Sequence, residues 1–167
     1  MMTAAFLKKH LGLRPLPTEG GYFAETYRSS VQITGDGLPE PYEGGRNLAT
    51  AIYYLLTPDT FSAFHRLAGD EIYHFYLGDP VEQVHLYPDG RGRVLTLGPD
   101  LEAGMHLQVV VPGGVWQGSR LTDGGRFALL GTTMAPGFSF DDFQAAHRAA
   151  LLDDYPSFAD HILSLTR

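Results

Sequence analysis

The chain has 167 residues, 44% of them apolar and 19% charged, which is enough for one folded domain with its own core and unlike a disordered composition. Twelve Lys and Arg stand against 19 Asp and Glu, a net charge of −7, and no basic run exceeds Lys8-Lys9, so nucleic acid and anionic membrane surfaces are excluded as partners. There is no cysteine, hence no disulfide, no thiolate metal site and no Cys nucleophile.

Residues 3–11 read as a short helix, with Thr3 to cap it, Phe6, Leu7 and Leu11 on one face, and Gly12 to end it. From Gly21 to Met134 the pattern is β. The runs 22–28, 49–56, 60–65, 72–77, 83–87, 93–97, 107–111, 115–119 and 127–133 are rich in β-branched and aromatic residues. Breakers separate them, among them Thr57-Pro58-Asp59, Gly78-Asp79-Pro80, Pro88-Asp89-Gly90 and Pro112-Gly113-Gly114. About nine strands at this spacing, with no long helical segment between them, predict a sandwich, jelly roll or barrel. Residues 35–45, rich in Gly, Pro and acid, are expected to form a mobile loop. Helical spacing returns over 141–152, through Phe143, Ala146, Ala150 and Leu151, and a last helix starts at Pro156. No linker divides the chain, so 1–167 is read as one domain with its β core over about 20–135 and helices over about 140–167. Apolar stretches are far short of the roughly 20 residues of a membrane span, and the N-terminus lacks a secretory pattern. The expected location is cytoplasmic.

Of seven histidines, His10, His147 and His161 fall in predicted helices and read as surface residues, while His85 and His106 read as structural. His65 and His74 flank the tight turn Gly69-Asp70-Glu71. If Glu71 points inward, the period of two sends Tyr73, Phe75 and Leu77 the same way and Ile72, His74 and Tyr76 outward. His65, ending the preceding strand, then faces Glu71 across the interior. A second tight turn, Pro112-Gly113-Gly114, leads into Val115-Trp116-Gln117.

These two segments resemble the cupin superfamily. Its first motif runs Gly, His-x-His, three or four residues, Glu, six residues, Gly, and here His65, Glu71 and Gly78 keep that spacing. Its second motif, Pro-x-Gly, two residues, His, is matched by Pro112, Gly114 and Gln117. Leu67 stands at the second histidine of the first motif, and Gln117 at the histidine of the second. The first motif's leading glycine falls at Asp59. A closer resemblance, to the uncharacterised small cupins of the cupin-five branch, rests on Glu19-Gly20-Gly21-Tyr22-Phe23, Glu25-Thr26-Tyr27-Arg28-Ser29, the run 50–56, Asp70-Glu71-Ile72-Tyr73-His74-Phe75 and Ala135-Pro136-Gly137-Phe138. The resemblance implies an all-β jelly-roll barrel with short terminal helices, commonly a homodimer, and a pocket inside the barrel.

Within that expectation an epimerase-like or isomerase-like enzyme acting on a sugar or nucleotide-sugar needs a base, an acid and a dry polar pocket. His65 is the candidate base, Glu71 the group holding its tautomer, Tyr73 the candidate acid, and Gln117 a substrate clamp. Glu19 is placed at the pocket rim, Arg28, Arg46 and Arg66 as anion anchors, and Trp116 as a stacking surface. The pair His65 and Glu71 reads equally as a buried, mutually satisfied contact left from a lost metal site. One alternative is a non-catalytic binding module. Another is a metal-dependent oxygenase or isomerase with a divalent ion on His65, Glu71 and Gln117, though no cofactor is firmly implied. Ile72, His74 and Tyr76 are the residues expected at a dimer interface.

Overall fold

The computed structural model describes residues 2–167. Helix α1 (Ala4–His10) is capped by Thr3, whose hydroxyl accepts the Phe6 N–H at 3.2 Å. The strands follow as β1 (Arg14–Pro15), β2 (Tyr22–Arg28), β3 (Gln32–Ile33), β4 (Arg46–Asn47), β5 (Thr50–Leu56), β6 (Phe61–Arg66) and β7 (Glu71–Gly78). Then come β8 (Val81–Leu86), β9 (Gly92–Leu97), β10 (Gln108–Val111), β11 (Trp116–Leu121), β12 (Ala128–Met134) and β13 (Gln144–Ala145). Helices α2 (Arg148–Asp154) and α3 (Ala159–Ser164) close the described chain. The strands form a six-stranded sheet in the order β1-β2-β5-β12-β7-β10 and a five-stranded sheet in the order β13-β6-β11-β8-β9, with β3-β4 as a separate ribbon.

The pleat sorts side chains into layers. Tyr54, Leu56, Tyr73, Phe75 and Leu130 of the larger sheet meet Val81, Leu95, Leu97 and Leu121 of the smaller one in a shared core. Leu55 and Leu129, on the opposite face, pack under α1 with Leu7. Phe64, Val84 and Leu86 back onto α2 and α3 through Leu151, Ile162 and Leu165. No helix among the described residues is long and apolar enough to cross a membrane.

Two expectations need correction. Residues 141–152 are not one helix: Phe140–Asp142 is a single 3-10 turn, β13 follows, and α2 begins only at Arg148. The reason is the open edge of β6. Gln144 and Ala145 pair with Arg66 and His65, and the Ala146 N–H bonds the Phe64 carbonyl at 2.9 Å, so the backbone finds strand partners that a helix would forgo. Leu77 does not follow Glu71, Tyr73 and Phe75 inward. A register shift against β12 between Leu129 and Leu130 turns it to the outer layer beneath α1.

Candidate active site

The inner face of the smaller sheet is divided. Val81, Leu95, Leu97 and Leu121 make one end apolar, while the other carries Ser62, His65, Gln83, His85, Gln117 and Ser119, each about 1% exposed or, for Leu95 and Leu121, under a tenth. A bulge creates this set. Between the pairs Gln117–His65 and Ser119–Ser62, β6 spends one residue more than β11, so Ser62 and His65 both point inward despite their odd spacing. Phe64 in the bulge faces the helices, and its backbone bonds Leu165 and Ala146 rather than β11.

The His65 Nδ1 lies 2.9 Å from the Ala63 carbonyl, which can only accept, so Nδ1 carries a proton and Nε2 is the nitrogen left to face the interior. Nε2 sits 3.9 Å from Glu19 Oε2, and the ring stacks on Phe143 at 5.1 Å. Glu19 accepts the Ser62 hydroxyl at 2.8 Å. Its backbone is fixed too: the Glu19 carbonyl takes the Ala63 N–H at 2.8 Å, and Gly20 follows with φ +107°, where a Cβ would stand 2.2 Å from the Phe61 carbonyl oxygen. Glu71 comes from the facing sheet, and Gln117 Nε2 donates to its Oε2 at 2.8 Å. Burial, then the nearby Glu19 charge, push the Glu71 carboxyl up. His65 and hydrogen bonds from Thr132 and Gln117 oppose this. The Tyr73 phenol, buried beside Glu71 and Glu19, is pushed well up, as is Tyr54, whose hydroxyl donates to the Gly20 carbonyl at 2.9 Å.

Glu19 and Glu71 line a cavity of 510 Å³, a size suited to a small ligand. Thr132, Ile52 and Leu67 continue its wall, Phe138, Phe140 and Phe143 roof it, and Arg14, Arg28 and Arg46 stand around it. Arg46 is held by a buried two-pronged ion pair with Asp142, at 2.6 and 2.8 Å. Arg28 is held by Glu25, Asn47 and the Phe138 carbonyl. Arg14, over the Phe23 ring at 5.0 Å, is the cavity arginine for which no ion pair forms among the described residues.

The structure therefore brings His65, Glu71, Tyr73, Gln117 and Glu19 to one interior. Four sequence expectations change. The Ala63 carbonyl, not Glu71, sets the His65 tautomer. Gln117 spends its amide N–H on Glu71, which limits it as a clamp. Arg66 and Trp116 lie outside the cavity: alternation with the inward His65 and Gln117 turns them outward, where Arg66 stacks on the Trp116 ring at 4.6 Å and bonds Gln144. Arg28 and Arg46 do line the cavity, yet their charges are already compensated.

Sequence reasoning gives Thr132 and Gln83 no role, reads Tyr54 as core and His85 as structural, and places Phe143 in a helix. Gln83 and His85 had a signal: they share one face of the strand with Val81 while Val84 and Leu86 fill the other, so both faces are buried. Phe143 had none, since only the return of β13 along β6 carries it to His65.

A resident cupin metal does not suit these donors. Leu67 fills the place of one histidine, Gln117 replaces another and is bonded to Glu71, and no three His, Asp or Glu converge to hold an ion among the described residues.

Residues 6–146 match the family model described as Cupin_5, Cupin superfamily (DUF985). The uncharacterized protein YML079W of Saccharomyces cerevisiae is 38% identical over 136 residues, 74% of this chain and 66% of that protein, so this chain spans about two thirds of its length. Protein SO0799 from Shewanella oneidensis superposes with a TM-score of 0.87 at 35% identity, covering 100% of this chain and 99% of that one. A hypothetical protein from Leishmania major gives 0.86 at 33% identity, covering 99% of each. Bacillus subtilis oxalate decarboxylase gives 0.54 at 14% identity over 92% of this chain and 37% of that one, a likeness of fold alone.

Proposed function

The chain belongs to the Cupin_5 branch of the cupin superfamily, and from that premise we propose that its two sheets act as a jelly-roll barrel whose cavity binds a small, sugar-like molecule and isomerises it by proton transfer. The observation that carries this reading is that Glu19 and Glu71 both line one cavity while the buried His65 stands directly behind that wall, its Nε2 3.9 Å from Glu19 Oε2. An imidazole whose Nδ1–H is held by a carbonyl can, when uncharged, take a proton at Nε2 from a C–H beside a carbonyl. The proton moves from that carbon to Nε2, and the electron pair moves onto the carbonyl oxygen. Glu71, whose carboxyl keeps its proton to higher pH than a free one, then returns a proton to the substrate, while the Tyr73 phenol, pushed well up, stays protonated and donates a hydrogen bond. Return to the carbon from the other face inverts it, and no co-reactant is consumed.

The binding-module reading differs in one respect: it needs the cavity and no turnover. Incubation of the protein with a panel of keto and aldo sugars and nucleotide-sugars in heavy water, followed by proton NMR, separates the two. Deuterium entering beside the carbonyl, and slowed about 100-fold or more in His65→Asn, is the expected result. Binding of a sugar without any such exchange overturns catalysis and leaves the binder.

A further inference from the structure

Beyond His65, a further polar group occupies the inner face of the smaller sheet. Gln117 pairs directly with His85 and Ser119 with Gln83 across neighbouring strands, so the four side chains form a compact block. All are 1% exposed. Six of their polar atoms have no hydrogen-bond partner among the described residues: both ends of the Gln83 amide, both His85 nitrogens, Gln117 Oε1 and Ser119 Oγ. Native interiors pair nearly all such atoms, so six together on one wall mark capacity kept for something else. Gln117 joins the block to the cavity, because its other amide atom holds Glu71 in the cavity wall.

We propose that His85, Gln83, Gln117 and Ser119 form a specificity subsite for the hydroxyl groups of an uncharged polyol. The inference rests on the cavity being a ligand pocket, to whose Glu71 wall the block is joined through Gln117. The chemistry of the four groups selects the class. Each of Gln83, His85 and Ser119 offers a donor and an acceptor, and Gln117 adds an acceptor. Burial and the Arg93 charge push His85 down to about 4, so the imidazole is neutral at physiological pH. A carboxylate or phosphate, which only accepts, would meet the Gln83 and Gln117 oxygens with no cation in the block. A hydroxyl gives and takes a hydrogen bond, and so matches either tautomer of His85. A ligand hydroxyl can make the same hydrogen bonds to such atoms as a water molecule would.

The test is a titration of the isotope-labelled protein with glycerol, glucose and myo-inositol, and separately with acetate and uracil, read at the His85 ring nitrogens and the Gln83 side-chain amide by NMR. At least one polyol is expected to move these signals, and acetate and uracil are not. Gln83→Met and Ser119→Ala are expected to weaken that response fivefold or more while the Tm holds or rises, since each removes orphaned polar atoms. Polyols that move only His65 and Phe143 overturn the subsite and leave the pocket standing. Silence at both places overturns the subsite together with the pocket reading. A preference for acetate or uracil overturns the ligand class. A lowered Tm with an unchanged polyol response in Gln83→Met makes the block structural and also overturns the proposal.

Discussion

Glu71 and His85 are both inward-facing ionisable groups, and they respond to pH in opposite directions. The folded protein holds the Glu71 carboxyl above its ordinary value of 4.5, so the folded state binds the proton more tightly than the unfolded chain. Its contribution is complete below about 4.5 and is lost as pH rises through the folded value. Glu71→Gln is therefore expected to gain stability relative to the parent as pH is raised towards neutrality, measured by urea unfolding at several pH values. His85 shifts from 6.5 to about 4, so here the unfolded chain binds the proton more tightly. Between those two values stability rises with pH, and the difference across the window is about 3 kcal/mol. His85→Leu should remove that acid-side loss: the parent's unfolding free energy falls between neutral pH and pH 4 more steeply than the variant's. Equal slopes would show that His85 titrates normally and is not buried as described.

At the scale of elements, backbone devices aim the side chains. The bulge in β6 turns Ser62 and His65 to the same interior, and the glycine turn after Glu19 lets β2 begin against the Tyr54 ring. Gly20→Ala places a methyl group against the Phe61 carbonyl at a positive φ, and a loss of about 1–3 kcal/mol is expected from backbone strain alone. Its signature beyond lowered stability is a displaced Glu19, read as altered His65 NMR signals. The segment that roofs the cavity is tied down by Arg46 and Asp142, both nearly inaccessible. Asp142→Asn leaves a buried guanidinium without its counter-charge and is expected to cost about 3–5 kcal/mol. Arg46→Met with Asp142→Asn should recover much of it, because no lone charge is then buried. A single variant as stable as the parent would mean that the roof does not depend on this pair. The motif residues His65, Glu71 and Gly78 were legible from spacing, whereas the bulge was not. A run of Phe61, Ser62, Ala63, Phe64 and His65 reads as plain alternation until β11 supplies a shorter partner.

Across the whole molecule the space between the sheets does two jobs at two ends. The apolar end supplies stability: Leu121→Ala or Leu97→Ala should cost about 2–5 kcal/mol in equilibrium unfolding, as buried leucines do. The polar end gives little or none. Each unpartnered atom there costs about 1–3 kcal/mol to keep dry, so apolar replacements near Gln83 should be neutral or stabilising. The sequence by itself determined the strand-rich core, the first and last helices, the family and the placing of Glu71 and Tyr73 on one face. Those follow from period-two patterning, breakers and motif spacing, all of which are local. Only the tertiary structure decided that the Ala63 carbonyl orients His65, that Gln117 serves Glu71, that Arg66 and Trp116 face outward, and that Phe143 leaves a predicted helix to stack on His65. It also gathered Gln83 and His85 beside Gln117 and Ser119. These outcomes depend on which strand edges remain unpaired and on where a one-residue register shift falls, and both are properties of strands meeting in space.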